Sequence, residues 1–328
     1  MTDMERASEH SAGDAGWPWP AAEAIVLTGP TGAGKSLFAE RLAAELPLEI
    51  ISVDSAQVYR GMDIGTAKPS PAVRARIPHH LIDILDPAES YSAGQFVADC
   101  TRLMTAIRSR GRVPLLVGGT MLYLRALLQG LAELPRGSAA LRHEIDARAA
   151  VEGWPRLHAE LARLDPEAAA RIHPNDPQRI QRALEVCYVT GQRLSHLQRA
   201  RSPVLSRLPR WALAFADRAV LHRRIGERLS RMMEQGFLDE VARLYARGDL
   251  GARRPALRAV GYRQLWAHLE GHCGLDEARD RALAATRQLA KRQLTWLRAD
   301  REMRWIDPDA PGAYEKWKCE LRRELVCA

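Results

Sequence analysis

The chain has 328 residues, 46% hydrophobic and 27% charged, enough for one large domain or two smaller ones with cores of their own. No run approaches the roughly 20 apolar residues of a membrane helix, and the N-terminus lacks a signal peptide's charged start and apolar core, so a cytoplasmic protein without membrane association is expected. The net charge of +8 suits a polyanionic partner or simply an arginine-rich composition, and five scattered cysteines without a C-x-x-C pair support neither a disulfide framework nor a zinc knuckle.

Residues 1–23 are small and polar, run through Trp17-Pro18-Trp19-Pro20, and are expected to be disordered. Ala24-Ile25-Val26-Leu27 predicts a buried strand, followed after Gly29 by a helical pattern in Leu37, Phe38, Leu42 and Leu46. A second strand, 49–53, ends at Asp54. A third, 113–117, ends at Gly118-Gly119-Thr120. Strands alternating with helices predict an α/β fold with a parallel sheet, its ligands at the carboxyl ends of the strands. Residues 24–137 form the first part of this core. Residues 138–200 read as helix only, broken by Pro166, Pro174 and Pro177, and predict an all-helical insertion domain. One more strand near 211–215 and long helices to about Arg301 make 201–305 the second part of the core. The remainder, 306–328, reads as a loose, charged tail.

Gly29-Pro30-Thr31-Gly32-Ala33-Gly34-Lys35-Ser36 fits G-x-x-x-x-G-K-[ST] between a predicted strand and a predicted helix. Such a loop turns backbone N–H groups and a helix dipole toward phosphate oxygens. Lys35 adds a charge, and the Ser36 hydroxyl can join the coordination shell of Mg²⁺. The core is thus P-loop nucleoside-triphosphate-hydrolase-like, yet its third strand lacks the terminal Asp that usually positions Mg²⁺. Asp54 is the one strand-end acid. It suits metal binding, base chemistry or the capping of a following helix, and Thr120 likewise suits a capping role. On a wheel of about 100° per residue, Arg287, Lys291, Thr295 and Arg298 share one face with Arg292 at its edge, opposite Leu289, Ala290, Leu294, Trp296 and Leu297. No acid interrupts the cationic stripe, which can track phosphates. Adjacent His79 and His80 do not share a face and read as structural.

Seven motifs in order carry a resemblance: the P-loop, 52–59 (SVDSAQVY), 61–69 (GMDIGTAKP), 117–123 (VGGTMLY), 173–176 (HPND), 260–263 (VGYR) and 290–293 (AKRQ). Together they resemble the tRNA dimethylallyltransferases (tRNA isopentenyltransferases) from about Ala24 to Trp305. The resemblance implies transfer of a dimethylallyl group from its diphosphate to the exocyclic N6 amine of the adenosine at tRNA position 37, next to the anticodon, in tRNAs reading codons that begin with U. The P-loop would cradle the diphosphate, with Mg²⁺ assisting. Asp54 would be the general base, Thr120 would lie near diphosphate and nucleotide, and Arg228 would contact the diphosphate. Contacts to tRNA would come from Asp54, Ser55, Ala56, Gln57 and Thr120, from Arg142, and from Gln178, Arg179, Ile180, Gln181 and Arg182. Further contacts would come from Arg258, Ala259, Val260, Gly261, Tyr262 and Arg263, and from Lys291, Arg292, Gln293, Leu294, Thr295, Trp296, Leu297 and Arg298. Asp176 and Pro177 suit a helix start, leaving Arg179 and Arg182 together on the outside. A monomer is expected. The residues alone also fit a small-molecule kinase using ATP on the loop, or an RNA-binding protein without chemistry.

Overall fold

Buried apolar runs in parallel strands explain most of the sheet. The computed structural model describes residues 23–327 apart from 133, 136, 200–204, 206, 207 and 253. Two compact units emerge, one comprising the chain up to Tyr123 and from Leu208 on, the other Leu124–Arg207. The predicted disordered segment lies outside the described residues but for Glu23, as does the expected end of the insertion at Ala200.

The first unit holds strands β1 (Ile25–Thr28), β2 (Leu48–Val53), β3 (His79–His80), β4 (Val113–Gly118), β5 (Arg210–Leu213) and β6 (Arg304–Ile306). They form one sheet in the order β3-β2-β4-β1-β5-β6, every pair parallel. Every residue of β1, β2, β4 and β5 is buried, as expected for a sheet covered on both faces. The helices α1 (Lys35–Glu45), α2 (Pro71–Arg76) and α3 (Ala93–Arg108) alternate with these strands, and α4 (Met121–Gln129) leads into the second unit. That unit contains α5 (Ala139–Glu152), α6 (Trp154–Leu164), α7 (Pro166–Arg171), α8 (Pro177–Thr190) and α9 (Leu194–Leu197), built on Ile145, Leu157, Leu161, Ile180 and Leu184. The carboxylate of Asp165 is buried there and satisfied by the amides of Ala168 and Ser195 and the Ser195 hydroxyl. Back in the first unit come α10 (Arg218–Glu234), α11 (Phe237–Tyr245), α12 (Tyr262–Leu269), α13 (Leu275–Arg298) and α14 (Ala313–Cys327).

The last helix corrects the expectation of a loose tail. Tyr314, Trp317 and Leu321 recur on one face of α14 and are buried against Leu27, Trp211 and Phe38 in the main core. Charges at Glu315, Lys316, Lys318 and Arg322 hide this face in the sequence, although Glu315, Lys316 and Arg322 are exposed and half-buried Lys318 pairs with Glu45 at 2.8 Å. Trp317 meets Trp211 edge-on at 6.4 Å and Phe38 at 5.9 Å. Trp317→Ala should therefore cost about 3–5 kcal/mol of unfolding free energy, read by urea denaturation. A loss below about 1 kcal/mol would put α14 outside the core.

Candidate active site

The carboxyl ends of β1, β2 and β4 are neighbours in the sheet, with Leu27 beside Val117 and Val53 beside Gly118. The segments leaving these three strands therefore converge. Gly29 opens the P-loop at φ +143°, where a Cβ would stand 2.5 Å from the Leu213 carbonyl oxygen, so no other residue fits. The loop feeds α1, capped by Gly34. Lys35 Nζ donates to the carbonyls of Gly29 (3.0 Å) and Pro30 (2.9 Å). Crowding by protein atoms and the nearby Arg228 guanidinium lower its pKa to about 8, with Asp54 pulling the other way.

Gln293, on α13, braces the loop. Its Oε1 accepts from the Thr31 amide at 2.9 Å, and its Nε2 donates to the Gly119 carbonyl at 2.8 Å. A Cβ on Gly119 would meet that Nε2 at 2.4 Å, so any other residue there would push the Gln293 amide out of its brace. Arg228 on α10 reaches the Thr31 hydroxyl at 3.4 Å. Its pKa is lowered chiefly by burial, with Asp54 opposing and Arg231 adding to the shift. It stays charged all the same.

Asp54 comes directly after β2. Its Oδ1 accepts the amides of Ala56 (2.8 Å) and Gln57 (3.3 Å), a turn rather than a helix cap. Among the described residues Oδ2 has no hydrogen-bond donor, so one carboxylate oxygen anchors the group and the other is available. Thr120 Oγ1 accepts the Ser55 amide at 3.0 Å and lies 3.4 Å from Ser55 Oγ, linking the ends of β2 and β4.

These groups line one cavity of about 570 Å³. Thr31, Lys35, Ser36, Asp54, Thr120 and Arg228 all face it, and so do Ser55, Ala56 and Gln57. The Gln57 side chain is engaged internally with Ser52 and the Thr66 carbonyl. Arg258, Ala259, Val260, Gly261 and Tyr262 line another wall, with Arg292, Gln293 and Trp296. Tyr262 is fully buried and donates to Glu240, so it acts as a brace, and exposed Arg263 does not line the cavity. The sequence wheel put Trp296 on the packed face. Instead it is 44% exposed, and it stands at the cavity, while Leu297 packs on Ala212 and Met303, and Leu294 against Leu221 and Ile225. Lys291, Thr295 and Arg298 are exposed, and Arg287 is half-buried.

In the second unit, the residues expected at the tRNA divide between core and surface, Ile180 on the apolar face of α8 and Arg182, expected outside, engaged from within. Ile180 has no exposed surface and belongs to the core. Arg182 turns inward, bonding the fully buried Glu185 and the Pro135 carbonyl, because a buried carboxylate needs compensation. Arg142 forks onto the same Glu185 at 2.9 and 3.1 Å. Burial would raise the Glu185 pKa, but the two guanidiniums and the Ser138 amide hold it below the usual range. Gln178 and Arg179 remain exposed, Arg179 pairing with Asp176 at 2.7 Å, and Gln181 bonds Asp146 at 2.6 Å.

Sequence reasoning missed Glu240, which accepts the amides of Asp63 (2.9 Å), Ile64 (2.8 Å) and Gly65 (3.1 Å) and so fixes the 61–69 segment as a cavity wall. Nothing local marks it. Glu40 also lines the cavity, with burial raising its pKa against the pull of Arg76. The apolar lining from α10, Ile225, Leu229 and Met232, was also missed, although helical spacing around Arg228 signals it.

The model of the IPP transferase family matches residues 57–300. The tRNA dimethylallyltransferase of Methylococcus capsulatus is 57% identical over 92% of this chain and 97% of its own, and that of Bordetella petrii is 59% identical over 88% and 93%. Among solved structures, the tRNA isopentenylpyrophosphate transferase of Bacillus halodurans aligns with a TM-score of 0.67 at 39% identity, covering 92% of this chain and 97% of that one. A eukaryotic dimethylallyltransferase acting on tRNA aligns with a TM-score of 0.75 at 26% identity, over 92% of this chain and 77% of its own. With its P-loop, its Asp54 turn and its Gly118-Gly119-Thr120 strand end gathered on one cavity, the chain belongs to the IPP transferase family.

Proposed function

We propose that the protein is a tRNA dimethylallyltransferase, moving a dimethylallyl group from its diphosphate to the exocyclic amine of the adenosine next to the anticodon. The observation that carries this reading is one cavity whose lining brings together the P-loop and its cations, an anchored carboxylate with a free oxygen, and apolar side chains. Lys35, Arg228 and the loop amides would neutralise charge growing on the diphosphate as the allylic C–O bond breaks. Ile225, Leu229 and Met232 offer the five-carbon chain an apolar wall. Asp54 would take the amine proton, and Thr120 would orient the base. An adenine amine reaches such a cavity only by leaving its stack, which unpaired loop nucleotides do at little cost.

Mg²⁺ fits as an ion carried by the diphosphate. The exposed Ser36 hydroxyl lies at the head of α1 and Asp54 on the same cavity, while among the described residues no three acids, histidines or cysteines cluster. Such ions usually hold few protein ligands beside phosphate oxygens and water. The metal would screen the leaving group's charge.

Incubation of undermodified tRNA with dimethylallyl diphosphate and Mg²⁺ tests the proposal. Nucleoside mass spectrometry should show adenosine gaining one isoprenoid unit without added ATP. Phosphate transfer from ATP instead would support the kinase reading, and binding without any mass change a purely RNA-binding role.

No helix among the described residues is long and apolar enough to cross a membrane. Exposed Lys291 and Arg298 are proposed to hold the tRNA backbone. Replacing both by Ala should weaken tRNA binding at every sequence and flatten its salt dependence by about one unit of slope per lost phosphate contact. An unchanged slope would assign them to solvated surface.

A further inference from the structure

A second cavity, of about 790 Å³, also borders the P-loop, lined by Gly32, Gly34, Lys35 and Ser36. We infer that it is the site that takes the inorganic diphosphate after the C–O bond has broken, with Arg224 and Arg231 as its holding residues. The inference rests on the transferase reading and extends it to the fate of the leaving group.

The two cavities share some side chains and divide the others between them. Lys35, Ser36 and Arg228 line both, whereas Asp54 and Thr120 line only the first, and Arg224 and Arg231 only the second. In the transfer, the amine nitrogen forms a bond to the allylic carbon while the carbon–oxygen bond breaks. The electron pair leaves on the diphosphate, and the amine proton passes to Asp54. Nucleophile and leaving group lie on opposite sides of the reacting carbon, and the diphosphate, held by Lys35 and Arg228 that line both cavities, is the part that can pass into the second.

The charge there suits the product. Lys68 and Arg74 also line the second cavity, but they are matched by Asp63 and Asp83 at 2.5–2.7 Å. Arg224, Arg228 and Arg231 make no ion pair among the described residues, and Glu227 is the remaining carboxylate on the lining. Spaced at i, i+4 and i+7, the three arginines project from one face of α10. Arg231 is close enough to depress the pKa of Arg228, although burial is the larger cause and Asp54 opposes it, so the like charges of this face act on one another. Arg224 and Arg231 are both exposed, Arg224 with its guanidinium 5.1 Å over the Phe215 ring, so their replacement strands no buried group. An outward step from Lys35 toward these arginines keeps a dianionic product in contact with cations while it leaves the prenylated nucleotide.

Calorimetric titration of the full chain with magnesium diphosphate, and separately with dimethylallyl thiolodiphosphate (an unreactive substrate analogue), tests the site. In Arg224→Gln/Arg231→Gln, diphosphate should bind about tenfold more weakly, the loss of charge-assisted hydrogen bonds. The analogue should change by less than about threefold. Arg231→Glu should weaken diphosphate further. Equal losses for both ligands, or none for diphosphate, would overturn the inference. Transfer to tRNA is assayed separately, so a failure of the transferase reading would appear there while the diphosphate titration still decides the site.

Discussion

Asp54→Asn and Asp54→Ala should each slow prenyl transfer by about 10²–10⁴-fold, the usual worth of a positioned general base. The two variants separate chemistry from architecture. Asparagine keeps a side-chain oxygen able to accept the Ala56 and Gln57 amides now held by Oδ1, so the turn after β2 survives. Alanine removes both bonds. A loss of rate shared by the two variants therefore reports on the missing basic oxygen. Dimethylallyl diphosphate should bind no more weakly, since Asp54 partly offsets the charge of Lys35 and Arg228 and its removal leaves the phosphate end more positive. Affinity for tRNA, spread over many contacts, should stay within about threefold. Transfer above about a tenth of the wild-type rate in either variant would end the base assignment and turn attention to Glu40, the other carboxylate on the cavity wall.

The site was legible where chemistry and local geometry coincide in a few consecutive residues. Buried parallel strands are mostly apolar, so β1 and β4 stand out as runs, and β2 does so despite its buried Glu49 and Ser52, while residues just past each strand end line the cavity. The glycine spacing of the P-loop carries its own geometry. Distant partners decided the features that escaped. The two-residue β3 and three-residue β6 are too short for any pattern, and they are strands only because β2 and β5 pair with them. Arg182 looks like a surface cation until Glu185 is seen to be buried beneath it. Gln293 sits among cations on α13, yet its amide is buried and joins the P-loop to the end of β4. Trp296 shows the limit of a wheel, which assigns a residue to the apolar side without knowing that a cavity opens there. The 61–69 motif was recognised as a signature, but its physical role, a wall held by Glu240 and by Lys68 bridging Asp63 and Asp83, needed the fold.

Lys35 makes substrate affinity depend on pH in a direction the site fixes. Burial and Arg228 bring its pKa from the usual 10.5 to about 8, so in the free protein the ammonium is lost as pH climbs past that value. A bound diphosphate favours the charged form, and above pH 8 binding must therefore take up a proton. Affinity for dimethylallyl diphosphate should fall toward about tenfold per pH unit above 8, until the raised pKa of the complex is reached. The contribution to folding runs the opposite way. The folded state holds fewer protons than the unfolded chain between about 8 and 10.5, so this group's contribution to stability rises with pH through that window. Opposed trends in affinity and stability are thus the signature of one lysine. Lys35→Ala should bind the substrate more weakly at neutral pH and slow transfer by about 10²–10³-fold, as loss of a preorganised charge does. Its binding should no longer change between pH 7 and 9. Lys35→Arg keeps a charge that does not titrate, and it too should flatten the profile, whatever its geometry costs in rate. If wild-type affinity stays level across that range, the lysine is not the titrating group at the diphosphate. The charge there would then rest on Arg228 and the loop amides.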